Sequence, residues 1–346
     1  MADLPPPTLR LNIDKEALAA NWRTLDRMSG GAAAGAAVKA DAYGVGVAKA
    51  VPVLRDAGCR DFFVAHWSEV AEVIAHVDPR QVSVLHGPLR REDCDYARAT
   101  GVRPVINSMF QARLWQESGG GLCDVMIDTG INRLGLPLED LAGPEIGALE
   151  VDTLMSHLAS ADEDVAQNVL QLDRFRSACT VIPARRRSFA NSAGIALGRD
   201  YAFDLTRPGL SLYGGIPRTE LAKEIRQVAY PHAAILQLRQ LLPGDSVGYN
   251  ATFTADMPMR VGVVSLGYAD GYLRCWSGKG MLRSEGRDLP ILGRVSMDMV
   301  VVDLTDAGHL AEGDWLEVPY GLPEGSQLSG LSQYEMLTTL GRRFRR

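Results

Sequence analysis

The chain has 346 residues, enough for two domains rather than one core, and its 46% hydrophobic content is that of an ordinary soluble globular protein. A formal net charge of −6, with basic clusters at 185–187 and 342–343 that suit solvated helix ends or a tail, argues against a nucleic-acid surface, and no apolar run reaches the roughly 20 residues of a membrane span. The five cysteines (Cys59, Cys94, Cys123, Cys179, Cys275) are scattered, with no CxxC pair, which excludes a zinc ribbon or a disulfide framework.

The opening segment, MADLPPPTLRLNID, has no charged stretch followed by an apolar one, so a cytoplasmic protein is expected. From Leu9 to about Pro231 short apolar runs alternate with helical patterns. The runs end at Lys39, His66, Gly87, Ser108, Gly130, Ala159, Gly194 and Gly209. Helices are predicted between them over 68–76, 109–117 and 164–179. Eight strands alternating with helices predict the α/β class and a (β/α)8 barrel of the TIM type over residues 9–231. Each run ends at or near a polar group: Lys39, His66, His86, Asn107, Asp128, His157, Asn191-Ser192, Arg207. The carboxyl ends of barrel strands are where such folds build active sites, so these groups are expected to share one.

After His232 the pattern changes to β-rich runs separated by turn signals such as Pro243-Gly244-Asp245, Ser284-Glu285-Gly286 and Glu312-Gly313-Asp314. A mostly β carboxyl-terminal domain is predicted over 232–346, with residues 1–8 packing on it. Its only predicted helix runs from Ser332 to Leu340.

The string VKADAYGVG (38–46) puts a lysine at the end of an apolar strand, just before small residues that let backbone approach a bulky ligand. Burial lowers an amine's pKa and makes it nucleophilic toward an aldehyde, which a Schiff-base lysine requires. Read alone, such a lysine is most often a surface residue with a buried stem. The wider pattern decides between the two. VKADAYGVG resembles the cofactor-lysine motif of the pyridoxal-phosphate-dependent alanine racemases. DTGINRLG (128–135), SHLA (156–159), NSA (191–193), RPGLSLYG (207–214), VGYN (247–250), GYADG (267–271) and GRVSMD (293–298) resemble seven further blocks of that family, in the same order.

The resemblance implies that Lys39 carries pyridoxal 5'-phosphate as an aldimine and serves as base on one face of the substrate's α-carbon. Tyr249 would serve the other face, reaching into a neighbouring subunit of a homodimer with shared active sites. A phenol ordinarily titrates at about 10 and needs cations or donors nearby to act as a base near neutrality. Arg207 would contact the cofactor's pyridine nitrogen, with His157 beside it. The phosphate would be held by Tyr43, Asn191-Ser192, the amides of Gly209 and Leu210, and Tyr334. Arg133 would meet the cofactor's phenolic oxygen and the substrate carboxylate region, and Met297 and Tyr268 would come from the partner to shape the entrance. The implied reaction is interconversion of L- and D-alanine, a source of peptidoglycan precursor, with no metal, nucleic acid or membrane partner.

Two departures stand out. Many family members have, two residues before the DTG aspartate, a lysine carbamylated so that it orients the arginine. Met126 stands there, so a bound anion or another side chain is expected to steady Arg133. The second departure is the tail, Arg342-Arg343-Phe344-Arg345-Arg346, which is shorter than in many relatives and leaves Tyr334 less supported than the barrel residues. A broad-specificity racemase on the same fold is the nearest alternative, although the export signal and disulfide that such enzymes tend to have are not seen. A non-catalytic cofactor-binding protein of the single-barrel kind is a second, and it would lack the β domain that supplies Tyr249. A decarboxylase on the same plan would face the pyridine nitrogen with a glutamate, where this chain has Arg207.

Overall fold

The computed structural model describes residues 5–344; Met1–Leu4, and with them half of the predicted 1–8 segment, and Arg345 and Arg346 of the tail lie outside it. The chain divides into two compact units, one spanning Lys15–Arg226 and one joining the residues before Lys15 to those from Gln227 onward.

The first unit is a barrel of parallel strands. Nine paired segments make it, of which Ala33–Ala34 and Ala36–Ala37 are two halves of one strand, leaving eight. The halves separate at Gly35 because they pair with different neighbours, Ala33–Ala34 with Leu205–Thr206 and Ala36–Ala37 with Phe62–Val64. That switch closes the barrel. A Cβ at Gly35 would lie 2.8 Å from the carbonyl oxygen of Asp61, so only glycine fits the seam. The remaining strands follow in sequence order: Val82–Val84, Arg103–Ile106, Leu122–Met126, Glu150–Met155 and Arg186–Ser188. Phe62–Val64, Val82–Val84 and Arg103–Ile106 are buried along their whole length, as strands covered on both faces must be. Phe63, Val105, Met126, Met155 and Leu205 fill the interior, with Leu85 packed against them.

The helices outside the barrel follow local rules. Lys15–Met28 buries Leu18, Trp22 and Leu25 at helical spacing. Met109–Glu117 begins where the Ser108 hydroxyl accepts from the Gln111 amide at 3.2 Å. The predicted helix 164–179 is Ala166–Ala178, while the predicted 68–76 resolves into a 3₁₀ turn, Trp67–Glu69, and a short helix, Val70–Ile74. The runs predicted to end at Gly194 and Gly209 are strands only as far as Ser188 and Thr206. Beyond Ser188, Asn191 caps a new helix, Ser192–Ala196, because its side chain satisfies a free amide there.

The second unit is built on the 13-residue strand Ala229–Leu241, which pairs antiparallel with Leu9–Ile13, Met259–Val264 and Trp315–Glu317. The sheet has seven strands, and a separate hairpin pairs Ser246–Val247 with Phe253–Thr254. Leu9–Ile13 therefore belongs to this sheet, not to the barrel as predicted, and the units meet in sequence at 14/15 and 226/227 rather than near 9 and 231. The reason is the alternation of Leu9, Leu11 and Ile13, which suits a half-buried antiparallel strand. Thr8 joins it, accepting from the Ala234 amide at 2.9 Å. A second helix, Leu322–Ser329, precedes Gln333–Thr338. Its signals, a proline in the first turn and Gly330 after the end, were present in the sequence. Among the described residues no helix is long and apolar enough to cross a membrane.

At the amino ends of the barrel strands two arginines face three aspartates. Arg186 bonds both oxygens of Asp61, at 2.8 and 3.0 Å, and Asp152 at 2.8 Å. Arg103 lies 3.6 Å from Asp61 and Asp124 and 3.7 Å from Asp152. Burial pushes the Asp124 carboxyl up against the pull of Arg103 and the Ser83 hydroxyl. Removing one member strands the others in low dielectric. Arg103→Met is expected to cost roughly 3–5 kcal/mol of stability, read as a lower urea midpoint at unchanged slope.

Candidate active site

Lys39 stands one residue beyond the strand Ala36–Ala37, after Val38, and the backbone reverses hard behind it. Ala40, Asp41, Ala42 and Tyr43 have φ of 53°, 54°, 52° and 54°, four successive non-glycine residues in the left-handed region. Each costs on the order of 1–2 kcal/mol relative to the right-handed form, so surrounding bonds must impose the turn. The Glu69 carboxylate accepts from the Ala40 amide at 2.6 Å and from the Ala65 amide at 2.7 Å. The Asp41 carboxylate accepts from the Val47 amide at 2.8 Å. The reversal carries Tyr43 onto Tyr213, with ring centroids 5.0 Å apart, and the Tyr213 hydroxyl donates to the Ala37 carbonyl at 2.9 Å. The Tyr43 hydroxyl in turn lies against Gly209, where a Cβ would come within 2.3 Å of it.

Arg207 is buried and donates to the Ser188 hydroxyl and the Ser156 carbonyl. Burial lowers its guanidinium to about 10, with the Asp124 charge pulling the other way, so it remains a cation at neutral pH. The Lys39 amine is pushed below its usual range by burial first, then by the Arg133 and Arg207 charges, against an opposing pull from Glu69. His157 is driven down to about 3 by burial and by Arg207, Arg133 and Lys39, and is neutral throughout the working range. Arg133 sits on an exposed loop just after Asn132, whose φ is 54°. The Asp128 side chain ties that loop by accepting from the amides of Gly130, Ile131 and Asn132 at 2.7, 3.0 and 3.2 Å.

A small polar cradle completes this end of the barrel. The Ser192 hydroxyl accepts from the amides of Gly209 and Ser211 at 3.0 and 3.2 Å, and Leu210 begins the 3₁₀ turn Leu210–Tyr213. The Ser211 hydroxyl is buried with no hydrogen-bond partner. Tyr43, the two serines and the backbone at 209–211 thus lie around one spot, which suits an anion able to take over the Gly209 and Ser211 amides from the Ser192 hydroxyl. Asn191 commits its side-chain oxygen to the Gly194 amide at 2.8 Å, a capping role.

Not every strand-end polar group joins this centre. The Asn107 amide donates to the carbonyls of Leu85 and Val105 at 3.0 and 2.8 Å, a structural role, and Asp128 is likewise spent on its own loop. His66 and His86 meet edge to face at 4.2 Å. Burial, His66 and Lys39 lower the His86 imidazole. The sequence reading missed Glu69, Ser156 and Ser188, which act on the backbone or hold Arg207. An acid or serine of this kind gives no signal until its partner is placed.

Tyr249, Tyr268, Met297 and Tyr334 lie on the β unit. Tyr249 occupies the turn between Ser246–Val247 and Phe253–Thr254 and is 67% exposed. Gly248 approaches Arg294, while the amides of Tyr268 and Ala269 donate to the carbonyls of Ser296 and Met297, both at 3.0 Å. These bonds gather the loops of Tyr249, Tyr268 and Met297. From the tail, Arg343 bonds Asp298 at 2.6 Å and reaches buried Asp270 at 3.5 Å. Tyr334 is partly exposed on the helix Gln333–Thr338.

The family model for the alanine racemase N-terminal domain matches residues 13–217, and that for the C-terminal domain matches 228–346. The chain belongs to the alanine racemase family. The alanine racemase of Methylobacterium nodulans is 43% identical, covering 97% of this chain and 95% of its own, and that of Acidiphilium cryptum is 38% identical, covering 97% of each. The alanine racemase of Bartonella henselae, solved with covalently bound pyridoxal phosphate, superposes with a TM-score of 0.89 at 35% identity over 99% of each chain. The alanine racemase resemblance carried by the sequence blocks thus extends over the whole chain.

The crowded cations make a testable statement about Lys39. Arg133→Ala removes a charge that lowers the amine, so its pKa rises and less free amine is present at pH 7. Uptake of pyridoxal phosphate by the protein, followed by rapid-mixing absorbance, is expected to slow several-fold at pH 7. The rates should converge as the pH passes the ordinary lysine value of 10.5.

Proposed function

We propose that this member of the alanine racemase family interconverts L- and D-alanine on pyridoxal phosphate carried by Lys39, with Tyr249 as the second base. The observation that carries the reading is the convergence of a depressed Lys39 amine, Arg133, neutral His157 and charged Arg207 at one end of the barrel. The residues present fit the cofactor. Tyr43, Ser192, the orphaned Ser211 hydroxyl and the amides of Gly209 and Leu210 suit a phosphate, with Tyr334 added by the family pattern. Arg207, held by a carbonyl and a hydroxyl, suits a neutral ring nitrogen.

When bound, pyridoxal phosphate supplies an electron-accepting ring that stabilises negative charge at the substrate's α-carbon. Inversion requires a proton to leave one face and arrive at the other. Lys39 Nζ, with its pKa lowered, holds or releases that proton on one face, and Tyr249 Oη does so on the other. Arg207 keeps its own proton and so denies one to the ring nitrogen, which limits charge delocalisation and side reactions. His157, kept neutral, bonds beside this assembly without adding a fourth positive charge. Arg133 binds the substrate carboxylate, and Tyr268 and Met297 narrow the entrance. Met126 lies in the hydrocarbon interior and cannot be carbamylated.

The high exposure of Tyr249 supports its acting on a partner's barrel, in a homodimer with two equivalent shared sites. We further assign the protein to the cytoplasm, as a source of D-alanine for peptidoglycan precursors. The direct test is D-alanine formation from L-alanine by the full chain with added pyridoxal phosphate. Wild type should racemise and Lys39→Ala should not, whereas a yellow but inactive wild type would overturn the substrate or the second base. Rates with serine, lysine and arginine beside alanine decide against a broad-specificity enzyme. Mixing Lys39→Ala with Tyr249→Phe chains should restore about a quarter of wild-type sites, since half the dimers are mixed and each of these has one intact site. No recovery after verified exchange would rule out the shared site.

A further inference from the structure

The helix Ala166–Ala178 lies outside the barrel, yet its Gln171 is fully buried and all three of its visible bonds go to the strand ends below the candidate site. Gln171 Oε1 accepts from the Ala159 amide at 2.9 Å. Its Nε2 donates to Thr129 Oγ1 at 3.1 Å and to the His157 carbonyl at 3.0 Å. A backbone N–H can only donate and a carbonyl can only accept, so the orientation of the side-chain amide is dictated, and both its protons are spent.

The directions of the neighbouring hydroxyls follow. Ser156 Oγ lies 2.8 Å from both the Ile127 carbonyl and Thr129 Oγ1. The carbonyl accepts, so the single Ser156 proton goes there. The Thr129 proton then goes to Ser156, and Thr129 Oγ1 is left to accept from Gln171. Donation therefore runs one way, from Gln171 through Thr129 and Ser156 to Ile127, with every member buried. A chain of this kind is mutually polarising, and cutting it leaves a buried polar group unsatisfied.

The chain touches three parts of the site. The carbonyl of Ser156 holds Arg207. The strand end bearing His157 is pinned on both sides, at the His157 carbonyl and the Ala159 amide. Thr129 opens the loop that carries Arg133, and that loop is gripped twice more from the same helix. Arg174 donates to the Thr129 carbonyl and Gln167 to the Gly130 carbonyl, each at 3.0 Å. Residues 167, 171 and 174 share a helix face. The Arg133 side chain is exposed and Met126 brings no charge to it, so the backbone of its loop decides where the guanidinium stands.

We infer that Gln171 is a positioning residue that, through Thr129, holds the Arg133 loop in register with His157 and Arg207 and so sets affinity for the substrate carboxylate from outside the barrel. This rests on the proposed role of Arg133. The test measures KM and kcat for L-alanine, with pyridoxal phosphate bound, in Gln171→Met, Thr129→Val, Thr129→Ser, Arg133→Ala and the double variant Gln171→Met/Arg133→Ala, each with its melting temperature. Gln171→Met and Thr129→Val should raise KM about tenfold, with kcat within about twofold of wild type. Thr129→Ser keeps the relaying hydroxyl and should rescue KM. In the Arg133→Ala background Gln171→Met should raise KM no further. A lowered melting temperature with unchanged KM would make Gln171 merely structural and overturn the inference, as would effects that multiply in the double variant. An Arg133→Ala chain with normal KM would instead overturn the assignment of Arg133 itself.

Discussion

Lys39 and His157 are buried at the carboxyl end of a barrel filled with hydrocarbon, where the Arg133 and Arg207 charges reach both of them, and the chemistry of the site depends on that setting. In a medium of low dielectric such crowding is felt strongly. Burial first, and these charges second, push the Lys39 amine down and hold His157 neutral, which makes a nucleophile and avoids a further cation. The carboxylate that pulls the other way on Lys39, Glu69, has committed its oxygens to backbone amides. The site is left electropositive, which suits a ligand that brings phosphate and carboxylate.

The two ends of the barrel solve the problem of buried charge in opposite ways. At the amino ends two arginines and three aspartates compensate one another, a solution that serves stability. At the carboxyl ends Arg207 is anchored by a carbonyl and a hydroxyl, neutral groups that fix its position without cancelling its charge. The strained turn at 40–43 belongs to the same economy of placement. It costs backbone energy, and in return it brings Tyr43 onto Gly209 and Tyr213 within a few residues of Lys39.

In the proposed mechanism the β unit supplies what a barrel mouth cannot, a group for the far side of a planar reacting centre. Tyr249 projects from a hairpin turn rather than packing beneath it. The loops of Tyr268 and Met297 are joined by backbone bonds, and Arg343 braces them through Asp298 and Asp270.

The sequence by itself determined the fold class and named most of the barrel residues proposed for the site, because the signals for both are written locally. Buried parallel strands are apolar throughout, and barrel chemistry gathers where they end, so position marks Lys39, His157, Ser192 and Arg207 as candidates together with Asn107 and Asp128, and the motif resemblance separates them. Motif resemblance added Tyr249 and Arg133, which have no local signal. Tertiary structure alone decided that Leu9–Ile13 leaves the barrel for the β sheet, since an alternating strand of five residues says which face is buried but not which partner covers it. It also decided that Asn107 and Asp128 serve the backbone while Glu69 and Gln171 support the site. Whether a polar side chain bonds a ligand, a strand end or its own loop depends on groups far away in sequence, and one-dimensional spacing does not carry that information.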